Sequence, residues 1–320
     1  FWVTGILALC CLPLVKWAVP DSPKQFNADT LPRMDQVWQL FTSRDLWRLN
    51  VSVMLLHMMI TLLFVQVPST MVKLGMPLDS HWTIYLPVLL ASVFLLAMMM
   101  RSSRGRTPRS MLLAAVLMLG CAFALLPLAG QSWWLLGAGL LIFFTGFNYL
   151  EANFPALLST IAPAGQKGTA MGIYASGINI GVLIGFLVGG WIDQFYGWRM
   201  AFFLVGVPGV LLAFLVRFTL AEPPRGLAEG RDDSGEQPSV RETLAYLWRK
   251  KSFRHMSFAA GLTAFVGYGF VTWAPAFLIR SFGMSTGEVG TWFGLLLGVA
   301  GGIGIVAGGW LADKFGAKDP

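Results

Sequence analysis

Apolar runs of about 20 residues, separated by charged connections, recur along the whole chain. They lie near 1–18, 49–72, 82–100, 110–129, 133–158, 169–191, 201–221, 256–279 and 289–311. A bilayer core about 30 Å thick takes roughly 20 apolar residues per helix. Barrel strands would be shorter, roughly 10 residues with alternating polarity. These runs do not alternate, and residues 88–96 are apolar on every face. A helix satisfies its own backbone hydrogen bonds where no water reaches. The pattern predicts an all-α, polytopic membrane protein with about nine transmembrane helices. The first run is clipped at Phe1, and the chain stops at Pro320 just after a loop begins, so both ends read as cut.

Two connections are long. Residues 19–48 and 222–252 read as cytoplasmic linkers, each ending in an amphipathic piece, 35–47 and 240–251, suited to the inner interface. The remaining connections are about ten residues or fewer, as between tightly packed helix hairpins. The expected organisation is a truncated transmembrane helix at 1–18 and a linker at 19–48. A six-helix transmembrane lobe follows at 49–221, then a second linker at 222–252 and two helices of a second, truncated lobe at 253–320.

Composition agrees with a lipid environment. Hydrophobic residues make up 56% and charged residues only 12%, with a mean hydropathy of +0.65. A water-soluble domain of this size has too much surface to cover with so little charge. The net charge of +7 reports topology. With the N-terminus outside, the outer connections keep only Lys73, Arg199 and Arg280, and every other Lys and Arg falls on the inner side. That bias is the positive-inside pattern, and it places the C-terminus in the cytoplasm. No basic face interleaved with aromatics suggests nucleic acid. Cys10, Cys11 and Cys121 read as buried thiols within apolar runs, without metal-ligand spacing. No cleavable signal peptide is evident.

Chemistry is sparse. There is no phosphate-binding loop, nucleophile elbow, metal-ligand cluster or dinucleotide fingerprint, so neither an enzyme nor a cofactor is expected. Glu151 is the acidic residue well inside a span. It sits roughly 10 Å from the inner end of its helix at 1.5 Å per residue. A carboxylate there costs about 2.5–3.5 kcal/mol unless it is protonated, paired or facing a wet cavity. Such a group can load and release a proton, or it can serve structurally by bonding a neighbouring helix. His57 lies at a similar depth, roughly 12 Å in. Asn50, His57 and Thr61 share one helical face, and Asn148, Glu151 and Pro155 share another. Tyr268 and Trp273 are candidates for an amphipathic substrate path, beside a kink suggested by Pro275, although packed or lipid-facing aromatics need no function. Gly177, Gly181 and Gly185, with Asn179, form a small-residue stripe of the kind that packs helices.

The sharpest local motif is the segment 309–318, Gly309-Trp310-Leu311-Ala312-Asp313-Lys314-Phe315-Gly316-Ala317-Lys318. It resembles the cytoplasmic-loop signature of the major facilitator superfamily, G-x-L-A-D-[RK]-x-G-x-[RK]. The resemblance implies a gating role for Gly309, Asp313, Lys314, Gly316 and Lys318. Its place after a linker and two helices fits the loop between the eighth and ninth helices. Residues 1–165, with Phe147-Asn148-Tyr149-Leu150-Glu151-Ala152-Asn153-Phe154-Pro155, resemble the sixth to tenth helices of a drug-efflux-like, proton-coupled member. Residues 168–320 resemble the fifth to eighth helices of a spinster-like member. The pieces that carry this are Gly168-Thr169-Ala170-Met171-Gly172-Ile173-Tyr174, Gly197-Trp198-Arg199 and Glu222-Pro223-Pro224-Arg225-Gly226. The two likenesses meet between 167 and 174, which reads as a stitched chain. In the resembled fold the seventh and tenth helices line a central cavity, which permits a His57–Glu151 relay. The resemblance implies transport of a small-molecule solute by alternating access, coupled to protons. The alternative is a membrane-inserted product with no complete translocation path.

Overall fold

A computed structural model describes residue 6 and residues 34–102, 108–129, 132–163, 166–219 and 240–304. The described residues are helical or in short connections, with no strand among them. In chain order the helices are α1 (Met34–Thr42), α2 (Arg44–Lys73), α3 (Trp82–Ser102), α4 (Pro108–Leu125), α5 (Trp133–Ile161), α6 (Lys167–Tyr196), α7 (Trp198–Thr219), α8 (Val240–Arg249), α9 (Lys251–Phe282) and α10 (Thr286–Leu295). A π-helical turn, Leu296–Ala300, carries α10 onward.

Among the described residues, six helices are long and apolar enough to cross a membrane. They contain the runs expected at 49–72, 82–100, 110–129, 133–158, 169–191 and 256–279. The run at 201–221 falls on α7, and the run at 289–311 is described only as far as residue 304. The run at 1–18, apart from residue 6, and the motif at 309–318 lie outside the described residues. The helices outreach their apolar runs, because charged and aromatic residues continue a helix into the interface. Thus α2 begins at Arg44 and α9 at Lys251. The amphipathic piece expected at 35–47 is divided at Ser43, whose extended backbone (φ −60°, ψ 125°) separates α1 from α2. Leu40 and Leu46 on either side are buried, while Trp38, Phe41 and Trp47 are exposed. The second amphipathic piece forms α8, with Leu244, Tyr246 and Trp248 exposed.

Close backbone contacts hold the bundle. On α6, Gly177, Gly181, Gly185 and Gly189 face Asn50, Met54, Met58 and Leu62 of α2 in step, so these two helices run parallel. A second face of α6 meets α10 in the opposite sense: Gly190 lies on Gly290, and Leu183 reaches Gly294 and Gly298. The small residues let the helices approach to backbone contact, which is how membrane helices associate where lipid removes the hydrophobic drive. One core cluster joins α2, α4, α5, α6 and α7, with Phe123, Phe143 and Phe202 nearly inaccessible. A smaller cluster, Val65, Phe186, Ala274, Val289 and Phe293, forms where α9 and α10 abut α2 and α6. Helix α3 instead turns Leu90 and Phe94 outward, 64% and 67% exposed, as a lipid-facing helix does. Cys121, read from sequence as buried, is exposed on α4, because the outer side of an apolar run meets lipid and not a core.

The helix ends carry their own chemistry. Gly283 ends α9 in the left-handed region, at φ 66°, where a side chain would be strained. Ser285 then caps α10: its Oγ accepts from the Glu288 amide at 3.2 Å, while its own amide donates to Glu288 Oε2 at 2.8 Å. These bonds hold the exposed Glu288 carboxyl below its usual range, the backbone bond first. The stabilisation is therefore present at neutral pH and is lost as pH falls through that lowered value. Ser285→Ala is expected to cost about 1 kcal/mol. Thermal unfolding in detergent at pH 7 and pH 3 checks both statements, since Glu288→Gln should match the parent only at the lower pH.

Candidate functional site

Helices α2, α3, α5 and α9 enclose a cavity with about 2310 Å³ of empty space, counting the part open to the surroundings. Its walls carry Phe64 from α2, Tyr85 from α3, Phe147, Asn148 and Glu151 from α5, and Tyr268 and Trp273 from α9. The structure therefore brings together four of the residues singled out from sequence: Asn148, Glu151, Tyr268 and Trp273. Pro275 lies buried inside α9, which continues through it to Phe282.

His57 stands behind Glu151, away from the cavity. Its Nε2 faces Glu151 Oε2 at 3.8 Å, with the histidine side chain 7% and the glutamate side chain 36% exposed. The other ring nitrogen, Nδ1, lies 3.1 Å from the Val53 carbonyl oxygen. A carbonyl can only accept, so Nδ1 carries the proton of the neutral ring and Nε2 presents its lone pair toward Glu151. Phe147 closes over the histidine edge-on, with ring centroids 6.0 Å apart. Glu151 Oε2 is buried and has no hydrogen-bond partner. Two proton arrangements suit such a pair: a protonated carboxyl beside neutral imidazole, or a carboxylate beside imidazolium. Both hold one ionisable proton between the two groups and leave the pair neutral, which avoids an isolated charge at this depth.

The remaining sequence candidates divide by face. Thr61 shares the His57 face but packs against Gly185 of α6 and not into the cavity. The Asn50 carbonyl oxygen lies against Gly177, and its side-chain Oδ1 is buried without a partner. Asn148 donates to Ser92 of α3 at 3.4 Å, tying α5 to α3 beside the cavity. Asn179 bonds the Ala175 carbonyl of its own helix at 2.9 Å, as a packing residue does.

Three polar residues near the site were not singled out in the sequence. Tyr174 on α6 is buried with an unpartnered hydroxyl and lies within electrostatic reach of Glu151. Tyr85 likewise has a buried, unpartnered hydroxyl. His81 binds the Met76 carbonyl oxygen through Nε2 at 3.3 Å and stacks near Trp273, with centroids 6.4 Å apart. Tyr174 had been named only as the last residue of the Gly168–Tyr174 segment, not as a site residue. Among the described residues, no group of histidine, cysteine and carboxylate side chains could hold a metal ion.

The solved structure of a bacterial homolog to the human lysosomal transporter Spinster, inward-facing and unoccupied, is similar in fold. It has a TM-score of 0.63 and 24% identity over 87% of this chain and 64% of that one. The inner membrane transport protein YajR of Escherichia coli is 31% identical over 226 residues, 70% of this chain and 50% of that protein. An MFS-type efflux pump of Mycolicibacterium smegmatis is 32% identical over 159 residues, 48% of this chain and 35% of that protein. The chain thus spans half or less of the length of these two curated relatives. The family model of the Major Facilitator Superfamily matches residues 143–320, which include α6 and its glycine contact with α10. With more than half of its length matched by that family model, the chain belongs to the major facilitator superfamily.

Proposed function

We propose that this chain carries the translocation site of a secondary transporter, which moves a small solute across the inner membrane in exchange for protons. Helices α2 to α7 form one lobe, and α9 and α10 begin the second. Alternating access is the rocking of these parts about the cavity between them. The C-terminus lies on the cytoplasmic side. The observation that carries the reading is the His57–Glu151 pair, 3.8 Å apart at the cavity wall. Glu151 offers its proton to the cavity, and His57 keeps the carboxyl in place through the ring orientation that Val53 fixes.

The test uses the purified chain in liposomes with an imposed pH gradient and a lumenal pH dye. Solute movement is expected to follow the gradient, to move protons in the opposite direction, and to stop when a protonophore collapses the gradient. Solute flux indifferent to the protonophore would sink the proton coupling. No gradient-linked flux for any solute tried would sink the carrier reading altogether.

A further inference from the structure

We propose that α8 and the elbow joining it to α9 form a binding surface for anionic phospholipids, which anchors the Lys251 end of α9 to the bilayer surface. The inference rests on the membrane placement of the bundle and not on what the cavity transports.

The apolar part of the surface comes first. Helix α8 ends at Arg249 and α9 begins at Lys251, with Lys250 between them in an extended backbone (φ −78°, ψ 113°). That residue turns a short helix against the start of a membrane span. Leu244, Leu247 and Trp248 fall on one face of α8 by their three- and four-residue spacing. Leu244 and Trp248 are 59% and 57% exposed. Trp248 meets Phe258 of α9 edge-on, with ring centroids 6.3 Å apart, and Phe258 and Met256 are themselves exposed. The apolar face of α8 thus continues into the outward surface of α9. A helix with such a face lies in the plane of the interface, with its apolar side at the acyl boundary.

Charge then selects the headgroup. Residues 240–254 hold five basic side chains, Arg241, Arg249, Lys250, Lys251 and Arg254, against one acid, Glu242. Among the described residues none of the five takes part in an ion pair. Lys250 Nζ lies 5.0 Å from the centre of the Tyr246 ring, and Arg254 Nε is buried without an acceptor. Phosphodiester oxygens supply both the acceptor and the negative charge, while the long basic side chains keep their stems on apolar surface. The elbow between α1 and α2 has the same extended break, at Ser43, but not the same charge. Residues 34–48 carry two basic side chains, Arg44 and Arg48, and two acids, Asp35 and Asp45. There Arg48 already holds Asp45 at 2.9 Å, so that elbow offers exposed Trp38 and Phe41 without a surplus of cations. An acidic soluble protein would answer the α8 cations but not an apolar face beside lipid. An anionic bilayer surface answers both, and on the orientation proposed above it is the cytoplasmic leaflet.

Hydrogen exchange of the purified chain tests the proposal, in nanodiscs of phosphatidylcholine and in nanodiscs that also contain phosphatidylglycerol. Each cation beside an anionic surface is worth about a fivefold gain in association. The α8 amides should therefore exchange at least about tenfold more slowly in the anionic discs, with the α1 amides unchanged as the internal control. Salt at about 1 M, where screening acts within about 3 Å, should remove most of the difference. A variant with Arg241→Gln, Arg249→Gln, Lys250→Gln and Lys251→Gln should exchange alike in both discs. Arg241→Lys with Arg249→Lys should keep the response, and unchanged protection of the α9 amides in every variant shows that the bundle is folded. Equal α8 exchange in the two lipids, a response that survives removal of the four charges, or an equal response in α1 would overturn the proposal. So would full α8 protection in detergent alone, which would mean that protein covers the helix. Protection gained in phosphatidylcholine discs on adding inorganic phosphate would overturn it as well, since the ligand would then be a free anion.

Discussion

Gly181→Ala is expected to cost about 3 kcal/mol or more, the largest stability loss of any single methyl group added to α6. A Cβ built at Gly181 collides with the Met54 carbonyl group of α2. That obstacle is main chain inside a helix, so no rotamer change relieves it and the two helices must move apart. Neighbouring rungs give a graded series. At Gly185 the added carbon would lie 2.8 Å from the Met58 carbonyl oxygen, and at Gly177 it would lie 3.1 Å from that of Asn50. At Gly189 it meets only Leu62 Cδ1, the far end of a flexible side chain. Gly172, on the same helix, has nothing within 4 Å. The expected order of destabilisation is therefore Gly181, then Gly185, then Gly177, with Gly189→Ala mild and Gly172→Ala silent. Separation at the centre of the ladder also pulls Gln66 from the Gly189 carbonyl, a buried bond of 3.3 Å. Unfolding midpoints of the five variants in one detergent check the series. A Gly181→Ala midpoint equal to that of Gly172→Ala would show that α2 and α6 do not meet in this register.

That ladder also shows how far the sequence could be read. Four-residue spacing identified Gly177, Gly181 and Gly185 as a packing stripe, because only small residues allow backbone approach in lipid. Nothing in the spacing said that the partner was α2, since any helix with a smooth face would serve. The answering stripe of Gly290 and Gly294 on α10, with Gly298 in the π-helical turn that follows, has the same spacing and was not read from the sequence. The helices themselves were legible from run length. Their ends were not, because polar residues such as Arg44 and Lys251 extend a helix without adding apolar length. The site was legible in part. Equal depth and the family likeness suggested His57 beside Glu151, and the 3.8 Å separation agrees. The Val53 contact that sets the imidazole tautomer was not legible, since every helical histidine has a carbonyl four residues before it. Tyr85 and Tyr174, inside apolar runs, and His81, in the connection before α3, were not singled out for the site. Their roles depend on which helices surround them, and sequence order alone does not state that.

Glu151→Gln is expected to reduce gradient-driven solute flux by about 100-fold or more, the range in which a positioned proton donor or acceptor contributes. Glutamine keeps the volume of glutamate and can donate from its amide to His57 Nε2, so the cavity wall should persist. What it loses is the ability to bind and release a proton. In the parent, one proton distributed between Glu151 and His57 keeps the pair neutral in either arrangement. In the variant, His57 remains neutral with its Nδ1–H on Val53, and no proton departs when solute arrives. The unfolding midpoint should therefore stay near that of the parent while the coupling disappears, a combination that general destabilisation does not produce. Glu151→Asp supplies the complementary case. It restores a titrating carboxyl but shortens the reach by one methylene, which widens a gap that is already 3.8 Å. Its flux should fall partway and still respond to the pH gradient. Parallel measurements of flux against imposed gradient for the three proteins, each corrected for reconstituted protein, decide the matter. If Glu151→Gln responds to the gradient with the slope of the parent, the proton is carried elsewhere in the protein and the His57–Glu151 pair is a structural contact.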